Sequence, residues 1–293
     1  MILVTGATGT VGSALVRRLT AAGEPVRCLV RDPRRLGAER VRVQIALGDL
    51  ADPRSFRHAL RGVRTVIHLA ASIRDQPAGS IEELNGVATW RMVQAAERAG
   101  VRRFVFFSAL DATRHSRARF MRAKALAEYA VSQSPVPHTI VAPSIVYSPG
   151  DPYLRLLERM ALLTPVMPVP GRGRTLFQPI WAEDVADCVM QVLERDGEES
   201  DRHELAGPET LTHEAIVELA LRSFGRRRPL INVPLPLVRR GLRAARLLAG
   251  NAVFATWDEV ELLEVPMTSR KGTADAERLG VRPKPMRAVL GVG

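Results

Sequence analysis

The strongest constraint on this chain lies in its first twelve residues. The apolar run 2-ILVT-5 leads into 5-TGATGTVG-12, and a helical pattern of Val11, Leu15 and Leu19 follows. The glycines Gly6, Gly9 and Gly12 are spaced G-x-x-G-x-x-G. Glycine permits a tight strand-to-helix turn and close packing of helix on strand, and it leaves bare amide groups beside the helix N-terminus. That end of a helix carries partial positive charge, so the unit suits a diphosphate. The loop residues expected to meet it are Gly6, Thr8, Gly9, Thr10, Val11 and Gly12. A glycine triplet alone is weak evidence. One that follows a strand and opens a helix at the head of a β-α series is strong.

Further apolar runs of strand length recur at 26–30, 43–47, 65–69, 103–108 and 138–142. The segments between them carry 3.6-residue periodicity, for example Val87, Met92 and Ala95. Alternation of this kind predicts an α/β fold: a Rossmann doubly wound parallel sheet with helices on both faces. Ligands of such sheets sit outside the C-terminal strand ends. The expected division is a nucleotide-binding domain over 1–150 and a smaller, proline-richer C-terminal substrate lobe over 151–293, with 175–195 packing back on the first domain. Helices are expected from about Ala182 to Leu193, with Glu183 and Asp184 in the first turn, and from Thr212.

At the end of the second run stands 29-LVRDPRR-35. A carboxylate there suits a ribose diol, whereas an arginine suits a 2′-phosphate. Arg31 holds the first position, which favours NADP(H). A one-residue shift would bring Asp32 to the ribose, so NAD(H) stays open. In 48-GDL-50, Asp49 is placed to accept from an adenine amino group and Leu50 to pack on the ring. The competing reading makes Asp52 a helix cap and leaves Asp49 in a loop.

The 293 residues are 46% hydrophobic and 25% charged, as in globular chains. No apolar run approaches the ~18 residues of a membrane span, and a secretory leader is not expected. Cys28 and Cys188 lie in no metal-binding spacing, so no metal is expected; buried thiols and a cytoplasmic location are. The net charge is +11 with 5% aromatics. No basic stretch is interleaved with aromatics, so nucleic acid is not an expected partner. The stretch 237-LVRRGLRAARLLAG-250 reads as a basic amphipathic helix, with Val238, Leu242, Ala245 and Leu248 on one side and Arg239, Arg243 and Arg246 on the other. It suits an anionic membrane surface or an acidic partner, or else a lobe helix with solvated arginines.

Taken in order, TGATGTVG, LVRD, GDL, 68-HLAA-71, Asn85, 105-VFFS-108, 118-ARFMRAKALAEYAV-131, 141-VAPSIVYSPGD-151 and 171-GRGRTLFQPIWAEDVA-186 resemble the extended and atypical short-chain dehydrogenase/reductase superfamily. The resemblance is nearest to the branch of the complex I accessory subunit and is loosest after about Asn232. It implies a nicotinamide side lined by Ala70 and Ala71, a ribose contact from Lys124, and a carboxamide end near Pro143 and Ile145. It also implies a carbonyl contact from Ser108 and a substrate near Tyr147, Phe177, Gln178 and Trp181, although Phe177 and Trp181 read equally as core.

The departure from that pattern is Phe120. Active members carry tyrosine four residues before the lysine, on the same helical face, as the proton donor. Phenylalanine has no proton to give, and Tyr129 falls on the opposite side of the helix. Two readings follow: an NADP-dependent oxidoreductase, with Lys124 and Ser108 as its remaining catalytic candidates, or a non-catalytic NADP(H)-binding redox sensor or assembly subunit. Sugar-nucleotide epimerase or dehydratase chemistry relies on the missing tyrosine.

Overall fold

The computed structural model describes residues 1–195, 200–249 and 256–292. Its centre is a seven-stranded parallel sheet: β1 (Ile2–Thr5), β2 (Val26–Val30), β3 (Gln44–Leu47), β4 (Thr65–His68), β5 (Arg103–Phe107), β6 (His138–Pro143) and β11 (Asp201–Leu205). The spatial order is β11-β6-β5-β4-β1-β2-β3. Strand side chains alternate between two cores, as the period of two requires. Ile2 and Val4 face α1 (Thr10–Ala21) and α6 (Ala182–Glu194). Leu3, Phe104 and Phe106 face the opposite layer, which holds α2 (Pro53–Phe56), α3 (Ala88–Arg98) and α4 (Arg119–Ser132).

Between β6 and β11 come β7 (Val146–Tyr147), α5 (Pro152–Leu163), β8 (Met167–Pro170), β9 (Leu176–Phe177) and β10 (Ile180–Trp181). After β11 come β12 (Leu211–Thr212), α7 (His213–Ser223), β13 (Leu230–Val233), α8 (Leu235–Ala249), α9 (Trp257–Leu262), α10 (Ala274–Arg278) and α11 (Met286–Val289). A third core, with Leu154, Phe177, Ile216 and Met267, lies under these elements. Thr212 caps α7 by accepting from the Ala215 amide, and Glu183 and Asp184 occupy the first turn of α6.

Six strands are legible in the sequence and the sheet has seven. The seventh, β11, is 201-DRHEL-205, parallel to β6. Its apolar content is low because it is an edge strand: Asp201 and Arg202 are exposed while His203 and Leu205 are buried. The chain therefore returns to the first domain through both α6 and β11. The α6 contact is held by charge as well as packing, with Arg18 on α1 bonded to Asp187 and Glu183.

Candidate functional site

Strand order reverses between β1 and β4, and ligands of open α/β sheets bind at that switch point. Gly6 turns the chain there with φ +70°, and a Cβ at Gly6 would stand 2.6 Å from the Ala70 amide nitrogen. At Gly12 a Cβ would meet the Gly6 carbonyl oxygen at 2.1 Å. Both positions are thus closed to any side chain by backbone. Gly9 is exposed and caps α1 with no side-chain bond. The first-turn amides of Thr10, Val11 and Gly12 have no partner within the helix, and Thr8 sits half-buried in the turn. Bare donors at a positive helix end, with no capping oxygen competing for them, fit a nucleotide diphosphate.

Arg31 is exposed at the end of β2, and its guanidinium donates to the Gln76 side chain at 3.1 Å, across from the β4 loop. Asp32 accepts from the Arg34 amide and caps the 3-10 turn Pro33–Val41. The two residues that left the cofactor open in sequence are thus unequal: one is committed to a cap, the other extends over the surface. Asp49 accepts from the Ala51 amide in a local turn while Leu50 packs against the second core. Asp52 caps α2, as the competing reading had it.

The loop after β4 is braced from several sides. Ala70 donates to the Thr5 hydroxyl, whose oxygen also lies 2.9 Å from His68 Nδ1. Ala71 is exposed. Asn85 is fully buried and fastens this loop: it accepts from the Ser72 amide and donates to the Ser72 and Ile81 carbonyls. Arg119 at the start of α4 holds Asp75, Glu82 and Asp258. Thr5, His68 and Arg119 lie inside motifs that gave them no role of their own, and Gln76 lies in none, since each acts through partners far along the chain.

Lys124 is buried at 2% exposure. Its ammonium donates to the Phe107 carbonyl at 2.5 Å, with the Phe106 ring at 4.9 Å and the Phe120 ring at 5.7 Å. It makes no surface pair with Glu128, whose carboxylate lies 3.7 Å from Arg202. Burial brings its pKa down to about 7, with Glu128 opposing the shift. Phe120 therefore occupies the place beside Lys124 where a phenol would stand. Tyr129 is exposed under Arg114, away from this site.

Ser108 follows β5 and is buried, and among the described residues its hydroxyl has no hydrogen-bond partner; the same holds for the Tyr147 hydroxyl and the Trp181 indole N–H. Tyr147 and Trp181 are register partners on β7 and β10, so they share a face. Burial pushes the Tyr147 phenol above its ordinary range, so it stays protonated and keeps a proton to donate. Pro143 is buried at the end of β6, and Ile145 packs at the edge of the third core. Phe177 is wholly buried, and Gln178 is tied by its side-chain oxygen to the Ser269 amide. Those two hold the small lobe together and present no free polar group.

A family model described as NAD(P)H-binding matches residues 6–196. This chain belongs to that family, within the atypical short-chain dehydrogenase/reductase superfamily. Family relatives include the mitochondrial NADH dehydrogenase [ubiquinone] 1 alpha subcomplex subunit 9 of Arabidopsis thaliana, 29% identical over 80% of this chain and 61% of that protein. The NAD(P)H azoreductase of Xenophilus azovorans is 30% identical over 77% of this chain and 74% of its own length. The chain spans 34 to 61% of the length of the first curated relatives that it matches. Among solved structures, the NADPH-dependent quinone oxidoreductase QOR2 of Escherichia coli superposes with TM-score 0.77 at 21% identity, covering 99% of both chains. At that identity the likeness carries the fold. The protein is thus a member of the NAD(P)H-binding family. Among the described residues, no helix is long and apolar enough to cross a membrane, and no cluster of metal-ligating side chains is present.

Proposed function

We propose that this protein is an NADP(H)-dependent reductase whose acceptor takes its protons from water rather than from the protein. The carrying observation is the pair Lys124 and Phe120: the cation is buried against Phe107, and the ring beside it has no proton to give. A ketone needs an acid at its oxygen as hydride arrives, worth roughly 10²–10⁴ in rate. A quinone or azo group spreads the incoming charge through a conjugated system and needs that help less. The names of the azoreductase and quinone oxidoreductase above agree with such acceptors.

The bound dinucleotide would supply the hydride. The residues that would hold it are Gly6, Thr8, Gly9, Thr10, Val11 and Gly12 at the diphosphate, and Asp49 and Leu50 at the adenine. Ala70, Ala71, Lys124, Pro143 and Ile145 would flank the nicotinamide half. Arg31 supports NADP(H) over NAD(H), because Asp32 is engaged as a cap and a planar guanidinium pairs two phosphate oxygens. Ser108 and Tyr147 are unspent donors for an acceptor oxygen or nitrogen. Buried, unpaired Cys28 and Cys188 agree with a reducing cytoplasm.

Phe120 also favours a second reading, a non-catalytic NADP(H)-binding sensor or assembly subunit, as does the likeness to the complex I subunit. Mass spectrometry of copurified small molecules and titration with NADPH and NADH test the cofactor. NADPH oxidation with a quinone and azo panel then separates the readings. Turnover abolished by Lys124→Ala supports the reductase, and tight NADPH binding without turnover supports the second reading. Tenfold tighter NADH binding (~1.4 kcal/mol) overturns the role given to Arg31.

A further inference from the structure

Positive charge is strongly segregated along this chain. Residues 219–257 contain eight arginines and no lysine, aspartate or glutamate, against a net charge of +11 for the whole protein. The centre of that stretch is α8. Of the expected apolar stripe, Val238 and Leu242 are half-buried, as is Leu235 before them, while the side chains of Ala245 and Leu248 lie outside the described residues. The opposite stripe is not purely basic. At 100° per residue, Leu237, Arg240, Ala244 and Leu247 share one outward face with Arg243 beside it, and all five are exposed. Leu247 is 88% exposed and Leu237 54%. Arg239, expected on the basic face, instead lies over the Trp257 ring at 5.1 Å. The side chain of Arg246 lies outside the described residues.

Exposed apolar side chains also occur on elements that precede the helix in the chain. Ile231 on β13 is exposed, and Leu162 and Leu163 at the end of α5 are 57% and 84% exposed. Arg228 joins this region by donating to the Ala161 carbonyl. A solvated arginine helix has no use for leucines on its outer face, and a purely acidic surface would be met by the arginines alone. Leucines interleaved with arginines on a convex helix match an anionic bilayer surface. There the leucines enter the acyl boundary while the arginine stems lie along it and their heads reach the phosphates.

We propose that the outward face of α8, with Leu237, Arg240, Arg243 and Leu247, seats the protein on a bilayer containing anionic lipid. The proposal stands independently of the cofactor reading, because binding is read without nucleotide.

The test is cosedimentation of the whole protein with phosphatidylcholine vesicles, with and without about a third phosphatidylglycerol. Two double variants accompany it, Leu237→Ser/Leu247→Ser and Arg240→Gln/Arg243→Gln; these side chains are exposed, and an unchanged melting temperature confirms that each variant folds. The expected result is partition onto the anionic vesicles, weakened roughly tenfold or more by either variant and by raised salt in the arginine-dependent part. Equal or absent binding to both vesicle types overturns the proposal. So does a leucine variant that binds like the parent while the arginine variant is lost, which would assign the face to an acidic protein or nucleic acid.

Discussion

The Lys124 ammonium lies 2.5 Å from the Phe107 carbonyl oxygen, sealed from water between the Phe106 and Phe120 rings. The burial that makes this contact also gives it a pH dependence. Folded Lys124 has a pKa of about 7, against 10.5 in an unfolded chain. Between those values the unfolded state holds a proton that the native state has released, so stability climbs as pH rises from about 7 to 10.5. Below pH 7 both states are charged and the native state bears the full desolvation cost. Lys124→Met is therefore expected to stabilise the nucleotide-free protein near pH 6, on the order of a few kcal/mol, with the advantage shrinking toward pH 10. Melting temperatures of both proteins across that range check it, and a constant difference would show that the lysine is not desolvated as described.

Restoring the phenol is the complementary change. Phe120→Tyr puts an acid one helical turn from Lys124, whose cation lowers a phenol pKa. Ketone or aldehyde reduction by NADPH should rise by about 10²-fold or more, with quinone reduction little affected. Steady-state NADPH oxidation reads both. No gain at unchanged NADPH affinity would place the reacting carbon away from this helix.

Arg31 should matter to one nucleotide and not to the other. Arg31→Gln is expected to weaken NADPH binding by roughly 10- to 100-fold, the size of a charge-assisted contact, and to leave NADH within about threefold. Calorimetric titration of both nucleotides decides it. Equal losses for both would make Arg31 a brace for Gln76 rather than a phosphate ligand.

Gly12→Ala tests the turn itself. The new methyl would meet the Gly6 carbonyl oxygen at 2.1 Å, which forces α1 away from the loop. An overpacking cost of about 1–3 kcal/mol is expected, together with loss of nucleotide-induced stabilisation. Thermal melts with and without NADPH measure both parts. By contrast, Gly23→Ala has open space around its Cβ and only a positive φ to oppose it, so it should leave nucleotide binding intact.

Acid should unfold the protein through its buried imidazoles. His68 is held neutral between Thr5 and Thr89, and burial brings its pKa down to about 3; His213, bonded to the Tyr153 hydroxyl, is brought to about 4. Both lie below the ordinary 6.5, so the unfolded state takes up protons first. The part of the stability that these two imidazoles control is complete above about pH 6.5 and falls as pH drops toward 3. Replacing His68 by glutamine should flatten part of that fall in denaturant titrations between pH 7 and 4.

The sequence by itself determined whatever depends on neighbours along the chain. The strand-turn-helix with Gly6, Gly9 and Gly12, the alternation of β and α segments, and the spacing of Phe120 and Lys124 on one helical face are all local geometry, set by backbone sterics and hydrophobic period. The tertiary structure decided what depends on distant partners. It made Asn85 the fastener of the β4 loop, engaged Asp32 as a cap while Arg31 reached Gln76, sank Lys124 against Phe107, and recruited the polar segment 201–205 as a sheet edge. It also turned Leu237 and Leu247 outward, because the packed stripe of α8 was already filled by Leu235, Val238 and Leu242. Periodicity reports which residues share a face. Only the packing of other elements reports which face is covered, and burial then sets which charges stay paired, shifted or free to meet a ligand.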